Sequence, residues 1–406
     1  MRGRHLDLQR YIQTASRLQG FDTPTVWNEF SPLADQTGSV NLGQGLPNWQ
    51  TPDFIKEAMV SAVRADLNQS TRSFGDVALC EALAKHYAPL LNRKSIDHMS
   101  EVTVCVGATE GIYAVMMALV EDGDEVIVLE PAFDIYPAQV QMAGGTTKFV
   151  PIELIEGQWK MDMNKLESSI TEKTKVILLN TPHNPTGKVF TRSELEEIAD
   201  ILRRNPHVVA VSDEVYEKLV YDARKHVHLS SLPGMWDQTI TISSAGKTFS
   251  ATGWKVGWAY GAAELIKPLM MANQWIQFSV PTPNCRAIAE VLEKSESPYE
   301  GAPNYFDFLR DEYERKRDHL GQSLEEAGLR PVMPQGGFFI VADAASFVPD
   351  DKYFLAPGPD GVSPVTKDWA FARWLTHEYG VTNIPMSAFY TPELKPSVAN
   401  LGKTLE

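Results

Sequence analysis

Two observations predict an α/β fold with a largely parallel sheet and helices on both faces. From about residue 100 the chain alternates short β-branched runs with helix-like stretches. Such alternation builds a parallel sheet with crossover helices. The length, 406 residues, exceeds what one small core needs, so a second domain is expected. Segments 102–106, 125–129, 175–179, 208–212, 239–242 and 256–260 read as buried strands. Between them, 111–120 and 193–203 read as helices. The second opens Thr191-Arg-Ser-Glu194, a capping box that satisfies free N–H groups at a helix start. In such a sheet, ligands bind at the carboxyl ends of the strands. A Pro- and Gly-bearing stretch at 298–303 precedes a strongly charged helix at 306–327 and marks a boundary to a smaller C-terminal domain. Residues 355–364, rich in Gly and Pro, read as a loop within it. No repeat or low-complexity linker interrupts the chain.

Composition narrows the function classes. Hydrophobic residues at 43% and charged residues at 22% fit a globular protein. A net charge of −15 argues against nonspecific binding to nucleic acid or an anionic membrane. No apolar run is long enough to span a bilayer. Cys80, Cys105 and Cys285 are widely spaced and form neither a metal pattern nor a disulfide framework, which fits a reducing compartment. The histidines do not cluster in sequence; His226 and His228 read as surface or packing residues, and no metal is expected. Arg2, Arg4, Arg10 and Arg17 against Asp7 weakly resemble a mitochondrial leader. A short solvated helix is the preferred reading, so the cytoplasm is expected first, with the mitochondrion as the alternative.

The run from Ser243 to Trp258, SSAGKTFSATGWKVGW, carries the most chemistry. Lys247 stands among small residues just after a strand, and Lys255 follows eight positions on. Small neighbours let a flat cofactor approach the backbone. A lysine there suits covalent attachment of a carbonyl cofactor, with a second cation for an anionic group. A P-loop is excluded, because Thr241 occupies the position where that motif needs a glycine. The segment resembles the cofactor-lysine segment of class I pyridoxal-phosphate (PLP) aminotransferases, in the kynurenine aminotransferase and glutamine transaminase K branch.

Further segments match that family in order and approximate spacing. They are Gly107-Ala-Thr-Glu-Gly111, Glu130-Pro-Ala-Phe-Asp-Ile-Tyr136, Asn180-Thr-Pro-His-Asn-Pro-Thr-Gly187 and Ser212-Asp-Glu-Val-Tyr216. The resemblance implies fold type I, with a mostly parallel seven-stranded sheet in the large domain and a smaller α/β domain. It implies a division into an N-terminal arm at 1–45, a large domain at 46–300 and a small domain at 301–406. It further implies that Ala108, Thr109, Ser244 and Lys255 hold the phosphate and that Phe133 stacks on the pyridine ring. Asn184 and Tyr216 would share its phenolic oxygen. Asp213 would pair with its nitrogen, and Lys247 would be both the covalent anchor and the acid–base catalyst. Trp27, Gly45, Asn184 and Phe278 match positions that line the amino-acid pocket, Phe278 from the partner subunit of a homodimer. The implied substrates are an L-amino acid (kynurenine, glutamine, methionine or an aromatic) and a 2-oxo acid such as 2-oxoglutarate or pyruvate.

Two departures stand out. Ser70 occupies a position where the family usually has a tyrosine that reaches the neighbour's phosphate. The family's carboxylate-binding arginine near the C-terminus has no counterpart, since no arginine follows Arg373. Lys395 and Lys403 cannot reproduce its paired hydrogen bonds. The expectation from sequence is therefore a small domain lacking its last strand and helix. Two alternatives stay open beside the transaminase: β-elimination from cysteine S-conjugates, and a PLP-binding pseudoenzyme.

Overall fold

The computed structural model of the protein describes residues 14–21, 24–45, 47, 49–392 and 394, and residues 401–405 by backbone. In chain order the strands are β1 (Val40–Asn41), β2 (Val102–Cys105), β3 (Glu125–Glu130), β4 (Thr146–Ile155), β5 (Gln158–Met161), β6 (Thr174–Asn180) and β7 (Val209–Asp213). They continue with β8 (Thr239–Ser244), β9 (Gly257–Tyr260), β10 (Arg330–Val332), β11 (Phe339–Asp343), β12 (Val381–Thr382), β13 (Ile384–Pro385) and β14 (Leu401–Leu405). One mixed sheet has the order β2-β9-β8-β7-β6-β3-β4-β5. Neighbours from β8 across to β4 are parallel. β9 runs against both of its neighbours, and β5 is the hairpin partner of β4. The expected seven strands thus become eight. The extra one, β5, is four residues of alternating exposure, too short a pattern to stand out from a loop.

The central strands are apolar on both faces because helices cover both. On β6, Val176 and Leu178 join a core with Ile112 and Val115 of helix Gly107–Leu119 and Leu269 of helix Ala263–Ile276. Ile177 and Leu179 point the other way, to Leu195, Ile198 and Leu202 of helix Arg192–Arg204. Burying each such side chain contributes about 1.5–3 kcal/mol. The Thr191–Glu194 capping box forms, with Glu194 N–H on Thr191 Oγ1 at 3.2 Å and Thr191 N–H on Glu194 Oε2 at 2.8 Å.

A second sheet, antiparallel, has the order β10-β11-β14-β13, and β1 pairs with β12. The expectation of a missing last strand is corrected here. β14 lies between β11 and β13, with Lys403 in register with Val341 and Ile384. Its sequence, Leu-Gly-Lys-Thr-Leu, is short and holds a glycine, so nothing local announces a strand. Lys395, Arg2, Arg4 and Arg10 lie outside the described residues. Helix Val26–Thr37 packs on helix Lys367–Tyr379, with Phe30 and Trp369 ring centroids 5.6 Å apart. Among the described residues, no helix is long and apolar enough to cross a membrane.

Candidate active site

Two rows of the large sheet bring the site together at the strand ends. Register places Asn180 beside Asp213, and Ser244 beside Gly257 beside Cys105. Ala108, Thr109, Phe133, Asn184, Asp213, Tyr216, Ser244, Lys247 and Lys255 all line one cavity of about 200 Å³.

The Ser244–Gly257 row makes an anion corner. Helix Gly107–Leu119 begins there, and an N-terminus of this kind presents unpaired N–H groups. Gly257 lets β9 pass against it, since a Cβ at 257 would sit 2.5 Å from the Gly107 carbonyl carbon. Gly107 itself has φ +79°, and a Cβ there would meet Lys255 Nζ at 3.0 Å. Glycine at 107 therefore leaves the space that the Lys255 ammonium fills. Burial pushes Glu110 on the same turn up to about 7, so it carries only part of a negative charge there at neutral pH.

The Asn180–Asp213 row makes an acidic floor. Tyr136 Oη donates to Asp213 Oδ2 at 2.7 Å, and the Val215 N–H reaches Oδ1 at 3.3 Å. Burial pushes Asp213 up to about 6 despite these bonds. Asn180 clips the row to the next loop. Its Nδ2 donates to the Asp213 carbonyl at 3.0 Å, and its Oδ1 accepts from the Asn184 N–H at 2.6 Å. Burial and the Asp213 charge hold the Tyr216 hydroxyl well above its usual range, so it stays a neutral donor.

Lys247 lies within Coulombic reach of both the acidic floor and the anion corner. Burial, opposed by the Asp213 charge and assisted by Lys255, lowers its amine to about 8. The amine donates to the Gly45 carbonyl at 2.8 Å and stands 5.0 Å from the Phe338 ring centroid. Phe338 and Phe339 form an aromatic wall with Tyr216, at centroid distances of 5.2 and 6.2 Å. The segment that leads into this wall is tied to the loops that follow β6 and β7. Gln335 and Gly336 N–H groups both donate to the Gly187 carbonyl, at 2.8 and 3.0 Å, and the Gly337 N–H donates to the Leu219 carbonyl at 2.9 Å.

The expected substrate residues are placed less uniformly. Gly45 touches the site through its carbonyl. Trp27 is half-buried, donates to Asp134 Oδ2 at 2.8 Å and packs on Phe389. Phe278 is 69% exposed and does not line the cavity of its own chain. Ser70 is exposed. Arg373 is buried and committed to Glu29 and to the Ala356 and Pro357 carbonyls, the last two at 2.6 and 2.9 Å.

Sequence reasoning missed Tyr136, Asn180 and the Phe338–Phe339 wall. Tyr136 and Asn180 stand inside quoted motifs, three residues after Phe133 and at a strand end; those positions were the available signal. The aromatic pair comes from the second sheet, and no motif marks it. Of the two readings of His226 and His228, surface or packing, the structure gives the second: both contact the buried Glu214 carboxylate.

A buried lysine of lowered basicity, beside an anion corner and a buried carboxylate at the ends of parallel strands, defines a cofactor-dependent group-transfer enzyme. Residues 37–403 match the family aminotransferase class I and II, and the chain belongs to that family. It is 44% identical over 398 residues to the kynurenine–oxoglutarate transaminase of Dictyostelium discoideum, covering 94% of this chain and 90% of that one. It is 41% identical over 388 residues to human kynurenine–oxoglutarate transaminase 1, covering 93% and 90%. Among solved structures, YbdL from Escherichia coli, identified with a methionine aminotransferase function, superposes with a TM-score of 0.84. That pair is 30% identical, with 97% of this chain and 95% of that one covered. The protein is a transaminase. The β-elimination and pseudoenzyme readings are not favoured.

Proposed function

We propose that this transaminase uses PLP to move the amino group of L-kynurenine, or of glutamine, methionine or an aromatic amino acid, to a 2-oxo acid such as 2-oxoglutarate or pyruvate. The observation that carries the reading is the buried Lys247 amine, held beside Asp213, Tyr216 and Asn184 in one cavity. The residues fit the cofactor. The Gly107 turn, Ser244 and Lys255 suit a phosphate dianion, and Asp213 suits a protonated pyridine nitrogen. Bound PLP supplies an electron sink for the pair left when substrate Cα loses its proton.

The chain's own residues do the rest. Asn184 and Tyr216 would orient the ring through its phenolic oxygen, and Phe133 would face it. Asp213 would hold the ring nitrogen protonated, its own charge favoured by that partner. Lys247, with an amine lowered to about 8, titrates close to neutrality, so it can take the Cα proton and return it nearby. Phe338, Phe339 and Tyr216 give an apolar wall suited to an aromatic or thioether side chain, and they exclude water. The transaminase relatives named for kynurenine support that substrate. A homodimer in which the partner's Phe278 completes the pocket, and a cytoplasmic location, belong to the same reading.

The test is a visible spectrum of the purified protein with PLP, before and after L-kynurenine or L-glutamine. A band that bleaches with amino acid and returns with 2-oxo acid is expected. Lys247→Ala should bind PLP without that band and lose turnover; full turnover in the variant would refute the assignment.

A further inference from the structure

Behind the site, on the far side of β7 and β8, lies a buried polar network that the chemistry above does not use. Glu214 accepts from Ser212 Oγ at 2.7 Å and contacts His226 Nε2 at 2.8 Å. His228 Nδ1 contacts the same Glu214 oxygen, and its Nε2 faces Glu217 Oε2 at 3.7 Å. Glu217 Oε1 accepts from Tyr87 Oη and from Ser243 Oγ, the latter at 3.0 Å. Ser243 Oγ also lies 3.4 Å from the Glu214 carbonyl. Trp258 Nε1 donates to Tyr87 Oη at 3.1 Å, and Tyr260 Oη stands 3.3 Å from His228 Nδ1. Lys218 Nζ is 3.8 Å from Glu217 and 3.0 Å from His86, which in turn meets Glu296 at 3.0 Å.

Carboxylates on both sides of His228 call for protons on both ring nitrogens, and the two acids hold it above its usual range although burial opposes this. Burial alone would raise Glu214, but the imidazoles of His228 and His226 hold it well below the carboxylate range. The cluster is thus a set of buried ions in near balance. The ligand atoms of Glu214, His226 and His228 lie within 4.8 Å of one another, but their spacing favours shared protons over a metal ion. Two ligands of a tetrahedral ion at about 2.0–2.1 Å stand roughly 3.3 Å apart, whereas His226 and Glu214 touch at 2.8 Å, a distance that suits a shared proton.

The network's place in the chain gives it a role. Glu214, Glu217 and Ser243 are each one residue from a side chain that lines the cofactor cavity: Asp213, Tyr216 and Ser244. On β8, strand alternation turns Ser243 and Ser244 to opposite faces. Glu214 follows the end of β7 and Glu217 lies in the turn after it, each next to a residue that lines the cavity. Ser243 Oγ joins β8 to the Glu217 carboxylate and reaches Glu214 only at its main-chain carbonyl. His228 stands between the Glu214 and Glu217 carboxylates, so the three neighbours are tied to one another by contacts made away from the cavity.

We infer that Glu214, Glu217, Ser243 and His228 are positioning residues that lock Asp213, Tyr216 and Ser244 into a single geometry for the cofactor. This rests on the PLP reading above. Ser243→Ala removes the joining hydroxyl without changing charge. The expected result is a folded protein with about ten-fold weaker PLP affinity, a displaced pH midpoint of the visible band, and a fall in kcat with KM little changed. Glu217→Gln, which keeps shape and removes charge, should weaken PLP affinity and displace that midpoint as Ser243→Ala does, because it loosens the same ties beside Tyr216 and Ser244. It also serves if Ser243→Ala folds poorly. A lower melting temperature with wild-type PLP affinity and midpoint in both variants would overturn the proposal, since it would mark the network as packing alone. Absence of the band from the wild-type protein would overturn the PLP reading and this inference together.

Discussion

Replacing Tyr136 by phenylalanine removes a single oxygen and tests what sets the charge of Asp213. The hydroxyl donates to Asp213 Oδ2 at 2.7 Å, between two buried side chains. Burial pushes Asp213 up to about 6, and the Tyr136 bond is the largest influence opposing that rise. A hydrogen bond to a charged group contributes about 1.5–3 kcal/mol. At about 1.4 kcal/mol per pH unit, its loss should move the carboxyl upward by roughly one to two pH units. The sign for stability follows from proton uptake. A carboxyl with a midpoint near 6 when folded, against 3.8 in its ordinary state, binds a proton on folding between those values. Its contribution is therefore fully present below about pH 4 and declines, by on the order of 3 kcal/mol, as pH rises to about 6. In Tyr136→Phe the decline should continue past neutrality. Urea denaturation of the cofactor-free protein from about pH 5 to about pH 8.5 reads this directly. The wild type should level off above about pH 7, and the variant should keep losing stability for another one to two pH units. PLP binding should shift with it, because the pyridine nitrogen needs an ionised partner. Superimposable stability profiles would refute the reasoning, showing that the hydroxyl does not govern Asp213.

Two other substitutions probe the corner and the small sheet's flank. Gly257→Ala places a methyl 2.5 Å from the Gly107 carbonyl carbon and 2.6 Å from the Ala108 nitrogen. Backbone cannot swing aside, so a loss of about 1–3 kcal/mol and weakened PLP binding are expected in melts and titrations; wild-type PLP affinity would show that this approach is not what shapes the corner. Arg373→Met leaves Glu29 and the Tyr353, Ala356 and Pro357 carbonyls without their buried partner and should cost about 3–5 kcal/mol. Steady-state assays on the folded fraction should show an unchanged amino-acid KM; a large rise would mean that Arg373 serves the substrate after all.

The strands that build the site were legible because they are fully buried and apolar, a local property. The loops that end them were legible because Gly107, Asn184 and Lys247 are unusual in their settings. Tyr136 was not, since an aromatic on a short helix reads as core until the acid beneath it is seen. The Glu214–His228 pair was hidden for a related reason. His228 lies in the loop that leads towards β8, and it meets Glu214, 14 residues earlier, only once that loop folds back over the end of β7. Phe338 reaches Lys247 from the segment just before β11, and β14 is stabilised by pairing on both sides rather than by its own composition. Each of these depends on distant chain segments, which no window of sequence contains.

The ties from Gln335 and Gly336 to the Gly187 carbonyl have a mechanical consequence. Phe338 stands one residue before β11, and its approach is bolted to the loops that follow β6 and β7. Phe339 already belongs to the second sheet, paired with Leu405. A movement of that sheet would therefore carry Phe339 and leave Phe338 beside the Lys247 amine, one ring acting as the jamb and the other as the edge of the door.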